Sequence, residues 1–190
     1  MERKPHFFFA VSLPEETKQE LDKACLSLKD TLPFKRWVHP EDYHITLAFL
    51  GSALEERLAT AKSLVEISLK EEKSFPLHIH QLGVFGKADE PRIFWADTLK
   101  ENRLMTIRDK VYTSCIQAGF QLEERPFKPH ITLARKWAGN TSFHPNLLKI
   151  NNPFKETPLS FEANEVVLYQ THLEREPKYE KMAIFPLIKE

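Results

Sequence analysis

Apolar positions along the chain switch repeatedly between strand spacing and helix spacing. The first run, FFFAV at residues 7–11, has the length and the aromatic and β-branched content of a buried strand. Leu21, Cys25, Leu28 and Leu32 then recur at three- and four-residue steps, which predicts a helix with one buried face. Pro14 belongs to its first turn, and Ser12 with Glu15 has the spacing of a capping box. After Pro33 and Pro40, DYHITLAFLG reads as a strand, and Leu54, Leu58, Ala61, Val65 and Leu69 form the stripe of a second helix.

FPLHIHQLGVF and RIFWADTL predict two further strands. Leu104, Ile107, Val111 and Cys115 predict a third helix with Gly119 just past its end, and KPHITLAR is again a strand. Residues 138–156 read as a loop with one short helical turn, and LSFEA, EVVLYQTHL and YEKMAIFPL as closing strands. No linker or low-complexity tract divides the chain, so residues 1–190 are expected to form a single domain.

His-Ile-Thr-Leu-Ala occurs twice, at His44 and at His130, each time in a strand that follows an amphipathic helix. This predicts two structurally similar halves. Strand alternation puts His44 and Thr46 on one face and Ile45, Leu47 and Phe49 on the other, and likewise His130 and Thr132 opposite Ile131 and Leu133. Two such strands about an approximate two-fold axis would bring two His and two Thr to one cleft. Imidazole is base or acid near neutral pH, so a facing pair suits in-line displacement at phosphorus. One neutral ring takes a proton from water, one protonated ring gives a proton to the departing oxygen, and the Thr hydroxyls bond non-bridging phosphate oxygens.

Composition narrows the partners. The 27 basic and 27 acidic side chains cancel, which argues against tracking along a long duplex but leaves a nucleic-acid end or a nucleotide. A chain of this length buries about 70% of its unfolded surface without needing disulfides or structural metals. The two cysteines, Cys25 and Cys115, sit at apolar helix positions and read as buried, reduced thiols. No apolar run has membrane-spanning length and no signal-peptide pattern opens the chain, so the cytoplasm is the expected compartment.

FFFAVSLPEE, RWVHPEDYHITLAFLG, PRIFWAD, RPFKPHITLAR and VVLYQTHLEREPKYE together resemble the 2H phosphoesterase superfamily, specifically the RNA 2′,3′-cyclic phosphodiesterases once called 2′-5′ RNA ligases (LigT-like). The resemblance covers nearly the whole chain. It implies an α+β fold of two pseudo-symmetric lobes, each an antiparallel sheet with flanking helices, around a central cleft. It further implies metal-independent hydrolysis of RNA 2′,3′-cyclic phosphate ends to a 2′-phosphomonoester; no cofactor is expected, and with no required protein partner evident in the sequence the chain is expected to be a monomer. Residue by residue, His44 corresponds to the proton donor, His130 to the proton acceptor, Thr46 and Thr132 to their motif partners, and Arg135 to a phosphate ligand. The chain departs from the family pattern before Tyr179, where Thr171 and Glu176-Pro177 replace a Ser and a Gly-Pro.

Arg135 poses a geometric problem, because five positions after His130 a straight strand points it into the core. A buried unpaired guanidinium is too costly, so either the strand ends or bulges near Ala134 or Arg135 pairs with a carboxylate. Arg125 and Lys136 are expected on a solvated edge. His78 and His80 share a strand face without a third ligand at metal spacing and read as solvent-facing. Of Trp37, Phe49, Phe94 and Trp95, three are expected in the core and one at the cleft rim. The alternatives to RNA-end hydrolysis are a small-nucleotide cyclic phosphodiesterase, a 2′-5′ RNA ligase, and a non-catalytic nucleotide- or RNA-binding module.

Overall fold

The computed structural model describes residues 4–189. In chain order the elements are β1 (Phe7–Ser12), α1 (Glu15–Lys29), β2 (Phe34–Trp37), a 3-10 turn (Pro40–Asp42), β3 (His44–Gly51), α2 (Glu55–Leu69), β4 (Phe75–Gly86) and β5 (Pro91–Thr98). They continue with α3 (Asn102–Gln117), β6 (Ile131–Trp137), α4 (Asn146–Asn151), β7 (Leu159–Ala163), β8 (Glu165–Thr171) and β9 (Tyr179–Pro186).

The helical stripes do what their spacing predicts. Leu21, Cys25 and Leu28 of α1, Ala61, Val65 and Leu69 of α2, and Leu104, Ile107, Val111 and Cys115 of α3 are all buried. Both thiols are free, and burial pushes Cys25 up to about 11 and Cys115 up to about 12. Past α3, Gly119 takes φ +89°, and the Gly119 and Phe120 amides donate back to the Ile116 and Cys115 carbonyls at 2.9 and 3.1 Å. This is a Schellman closure, which needs a residue tolerant of left-handed backbone. The start of α1 differs from expectation. Ser12 stays in β1 and its hydroxyl donates to the Glu165 carboxylate on β8 at 2.7 Å, so α1 begins behind Pro14 without a side-chain cap. A cross-strand carboxylate outcompetes the local amide for that hydroxyl. Among the described residues no helix is long and apolar enough to cross a membrane.

The strands form an antiparallel sheet in the order β7-β4-β5-β6-β3-β1-β8-β9, with β2 on β6. Its two halves meet at a single pair of equivalent residues, Ile45 opposite Ile131. Outward from that pair, β3 lies on β1 and β6 lies on β5, so each half is built from a strand-helix-strand unit: β1-α1-β3 and β5-α3-β6. Beyond Ile131, β6 takes β2 as its neighbour in place of β3. The two motif strands therefore diverge from one point of contact, and that divergence is the cleft.

Both motif strands carry the same irregularity. On β1, Ala10 faces Thr46 and Phe9 faces Ala48, skipping Leu47. On β5, Trp95 faces Thr132 and Phe94 faces Ala134, skipping Leu133. Each is a bulge, in which an extra residue reverses the phase of alternation. Strict alternation had assigned Phe49 to the core, but past its bulge Ala48 and Leu50 are buried and Phe49 is 56% exposed.

Candidate active site

His44 opens β3 and His130 stands immediately before β6, both at the cleft. The His44 Nδ1–H donates to the Asp42 carbonyl at 2.7 Å and the His130 Nδ1–H donates to the Lys128 carbonyl at 2.7 Å, the carbonyl two residues back in both cases. A carbonyl only accepts, so each neutral ring keeps its proton on Nδ1 and presents a bare Nε2. On His44 that nitrogen accepts from the Thr46 hydroxyl at 3.0 Å. Thr132 lies half-buried next to Trp95, and its hydroxyl makes no hydrogen bond among the described residues.

Their surroundings differ. His44 is walled by Phe8 (4.8 Å between ring centroids), Tyr179 (5.1 Å) and Tyr169 (6.0 Å). Burial, joined by the positive fields of His130 and Arg135 and opposed by the Asp42 carbonyl, draws its pKa down to about 4. His130 has Phe85 edge-on at 4.9 Å and Trp95 at 6.4 Å. Asp97 lies within electrostatic range of His130; burial raises its carboxyl pKa, against the Thr98 amide and the His130 charge.

The bulge at Leu133 decides the position of Arg135. It returns the side chain to the face of His130 and Thr132, exposed and in no ion pair among the described residues. From there its charge acts on both His44 and Tyr179, and it reaches the Tyr179 hydroxyl, opposing the rise that burial imposes on that phenol. A residue of the second half thus completes the environment of the first. All five predicted site residues, His44, Thr46, His130, Thr132 and Arg135, line the same divergence of β3 and β6.

A sequence model of the 2′-5′ RNA ligase superfamily matches residues 14–175. The chain belongs to this superfamily. An RNA 2′,3′-cyclic phosphodiesterase of Geobacillus stearothermophilus is 42% identical over 186 residues, covering 98% of this chain and 58% of that protein, so the chain spans little more than half of that relative's length. One of Bacillus subtilis strain 168 is 38% identical over 185 residues, covering 97% of each chain. Among solved structures, E. coli LigT in complex with 3′-AMP superposes with a TM-score of 0.77 at 23% identity over 97% of this chain and 99% of that one, a likeness of fold.

Within this family fold, one site residue went unpredicted. Asp42 is 5% exposed, and its carboxylate accepts from the Lys178 amide at 3.0 and 2.9 Å and from the Tyr179 amide at 3.1 Å. It ties the β8-β9 turn, which holds the cis Glu176–Pro177 bond, to the strand of His44. Its partners are 136 and 137 positions away, so no local pattern could announce it.

The remaining candidates are dispersed. His78 and His80 are half-buried rather than solvent-facing: the His78 Nδ1 meets the Ser160 hydroxyl at 2.7 Å, and the His80 Nδ1 is sealed off without a partner. Among the described residues no group of three or more His, Cys, Asp or Glu is placed to hold a metal ion. Phe94 is fully buried, Trp37 and Trp95 are half-buried, and Phe49 is the exposed aromatic of the four. Arg125 is on the solvated edge, paired with Glu123, and Lys136 is exposed.

Proposed function

We propose that the cleft hydrolyses RNA 2′,3′-cyclic phosphate ends to 2′-phosphomonoesters with its two histidines as the acid–base pair and no metal. The observation that carries this reading is the joining of two His-x-Thr strands at the equivalent pair Ile45–Ile131. The names of the Geobacillus and Bacillus relatives support the substrate class. His130 takes a proton from water, the water oxygen bonds to phosphorus, the bond from phosphorus to the 3′ oxygen breaks, and His44 protonates that oxygen. Thr46, Thr132 and Arg135 bond the non-bridging oxygens, where Arg135 offers a guanidinium fork. The free thiols Cys25 and Cys115 fit a cytoplasmic setting.

Such a donor must hold a proton when the bond breaks, yet burial above all draws His44 down to about 4. The cyclic phosphate acts against this. Its negative charge enters beside His44, His130 and Arg135, cancels their mutual repulsion and favours the protonated ring against the burial that chiefly lowers its pKa. The test is turnover of an oligoribonucleotide ending in a 2′,3′-cyclic phosphate, in excess chelator, with product analysis. His44→Ala and His130→Ala should each lower the rate by about 10² to 10⁴ while circular dichroism stays native. Near-normal turnover by either folded variant removes that residue from the mechanism, and loss of activity on chelation removes the metal-free route.

A further inference from the structure

Two arginines stand directly opposite each other on β2 and β6. In the β2-β6 pairing, Arg36 is directly opposite Arg135, and the next pair is Trp37 with Ala134. Directly opposed residues of an antiparallel pair share a face of the sheet, with Cβ atoms about 4.5 to 5.5 Å apart. Trp37 and Ala134 face the core, where Trp37 meets the buried Phe94 edge-on at 5.9 Å. Arg36 shares the face of Arg135, whose charge reaches His44 and Tyr179, and both are exposed. Neither is in an ion pair among the described residues.

Like charges directly opposite each other destabilise a sheet. A fold that places them so, with no carboxylate between, has a surface waiting for an anion. Arg135 already points its charge at His44 and Tyr179, where the reacting phosphate belongs. Arg36 is one strand further out, about 4.8 Å across the sheet. A single phosphate engaged by Arg135 beside the histidines leaves the Arg36 guanidinium unmatched. A nucleic-acid strand carries a second phosphate immediately upstream.

Resting on the hydrolysis reading above, we infer that Arg36 binds the phosphodiester on the 5′ side of the terminal nucleotide, making the cleft a reader of oligonucleotide ends over mononucleotides. The pair Arg36–Arg135 then spans two successive phosphates, and the preference for RNA is set in β2.

The experiment compares the wild type with Arg36→Ala and Arg36→Lys on two substrates, a short oligoribonucleotide with a 2′,3′-cyclic phosphate end and a 2′,3′-cyclic mononucleotide. Binding is measured in parallel by fluorescence anisotropy, with a 3′-phosphorylated oligoribonucleotide as the probe and a 3′-mononucleotide as the competitor. Arg36→Ala should lower kcat/KM and affinity for the oligonucleotide roughly tenfold, the lower end for a hydrogen bond to a charged group, and leave the mononucleotide within twofold. The slope of log affinity against log salt should fall by about 0.7, one phosphate contact on a single strand. Arg36→Lys should recover most of the loss, and the melting temperature of Arg36→Ala should not fall. Equal losses on both substrates, or none on either, overturn the inference. A wild type without turnover whose oligonucleotide binding still depends on Arg36 overturns the hydrolysis reading and leaves the inference standing.

Discussion

Replacing Gly83 by alanine probes how firmly the sheet holds the wall behind His130. Gly83 on β4 is paired with Trp95 on β5, and the indole folds back over the glycine. A methyl group there would stand 2.1 Å from the Trp95 Cη2, 2.2 Å from Cζ2 and 2.6 Å from Cζ3. These atoms belong to one rigid plane, so the ring has to retreat as a body by more than 1 Å to restore ordinary contact, roughly 3.4 Å or more for carbon. Phe85, at 5.1 Å, and His130, at 6.4 Å, lie against the same ring, and Thr132 is its partner on β6. Overpacking of this kind costs about 1 to 3 kcal/mol. For a chain of this size that is a melting-temperature drop of about 2 to 12 °C. A displacement of about 1 Å beside a reacting group can cost up to 10² in rate. We therefore expect kcat to fall roughly 10- to 100-fold with KM changing less.

Gly139→Ala supplies the control. Its methyl would meet the Trp137 ring at 2.5 Å, an overlap of the same kind, but Trp137 packs on Phe34 and Phe143 and not on either histidine. That variant should lose stability and keep kcat. Differential scanning calorimetry with steady-state turnover separates the two effects. If Gly83→Ala kept both its melting temperature and its kcat, the indole would be free to relocate and Trp95 would not be a fixed wall of the site.

Arg135→Ala should weaken phosphate-ended ligands by about 1.5 to 3 kcal/mol with little change in melting temperature, because the side chain is exposed and has no carboxylate partner among the described residues. Unaltered affinity by titration calorimetry, with a large drop in melting temperature, would make it structural. His44 gives a pH prediction: its folded pKa of about 4 lies below the ordinary imidazole value, so between roughly pH 6.5 and 4 the unfolded chain holds more protons. Stability should fall as pH falls through that window, and His44→Gln should fall less steeply in chemical denaturation. Parallel slopes would mean that His44 titrates normally in the folded chain.

The sequence pattern made the helices and most strands legible because their causes are local: a stripe at helical steps or a run of strand length is visible within one window. The duplicated His-Ile-Thr-Leu made the two motif strands legible for the same reason. What stayed hidden depended on distant partners. FKRW is too short and too charged to read as a strand, and it becomes β2 only because β6 offers an edge where β3 has turned away. The Asp42 carboxylate is spent on the amides of Lys178 and Tyr179, far along the chain. Ser12 looked like a cap until Glu165 stood across from it. The Arg135 puzzle could be posed from alternation alone, but its solution lay in the register of β5 on β6.

The two bulges show how a repeated backbone can surround its two histidines differently, as the proposed reaction requires. The backbone treats both halves alike: the same carbonyl fixes each ring, the same residue of each motif is skipped, and the position five residues after each histidine is returned to the cleft. Side chains then break the equivalence. After His44 that position is Phe49, and after His130 it is Arg135. Arg135 lends its charge across the divergence to His44, while His130 has Asp97 within range and no such cation opposite it from Phe49. An in-line displacement needs two rings in different protonation states at one moment. Duplication places both rings at one divergence of strands, and the unlike walls around them do the rest: burial among Phe8, Tyr169 and Tyr179 first, with the charge of Arg135 added to it, lowers the pKa of His44.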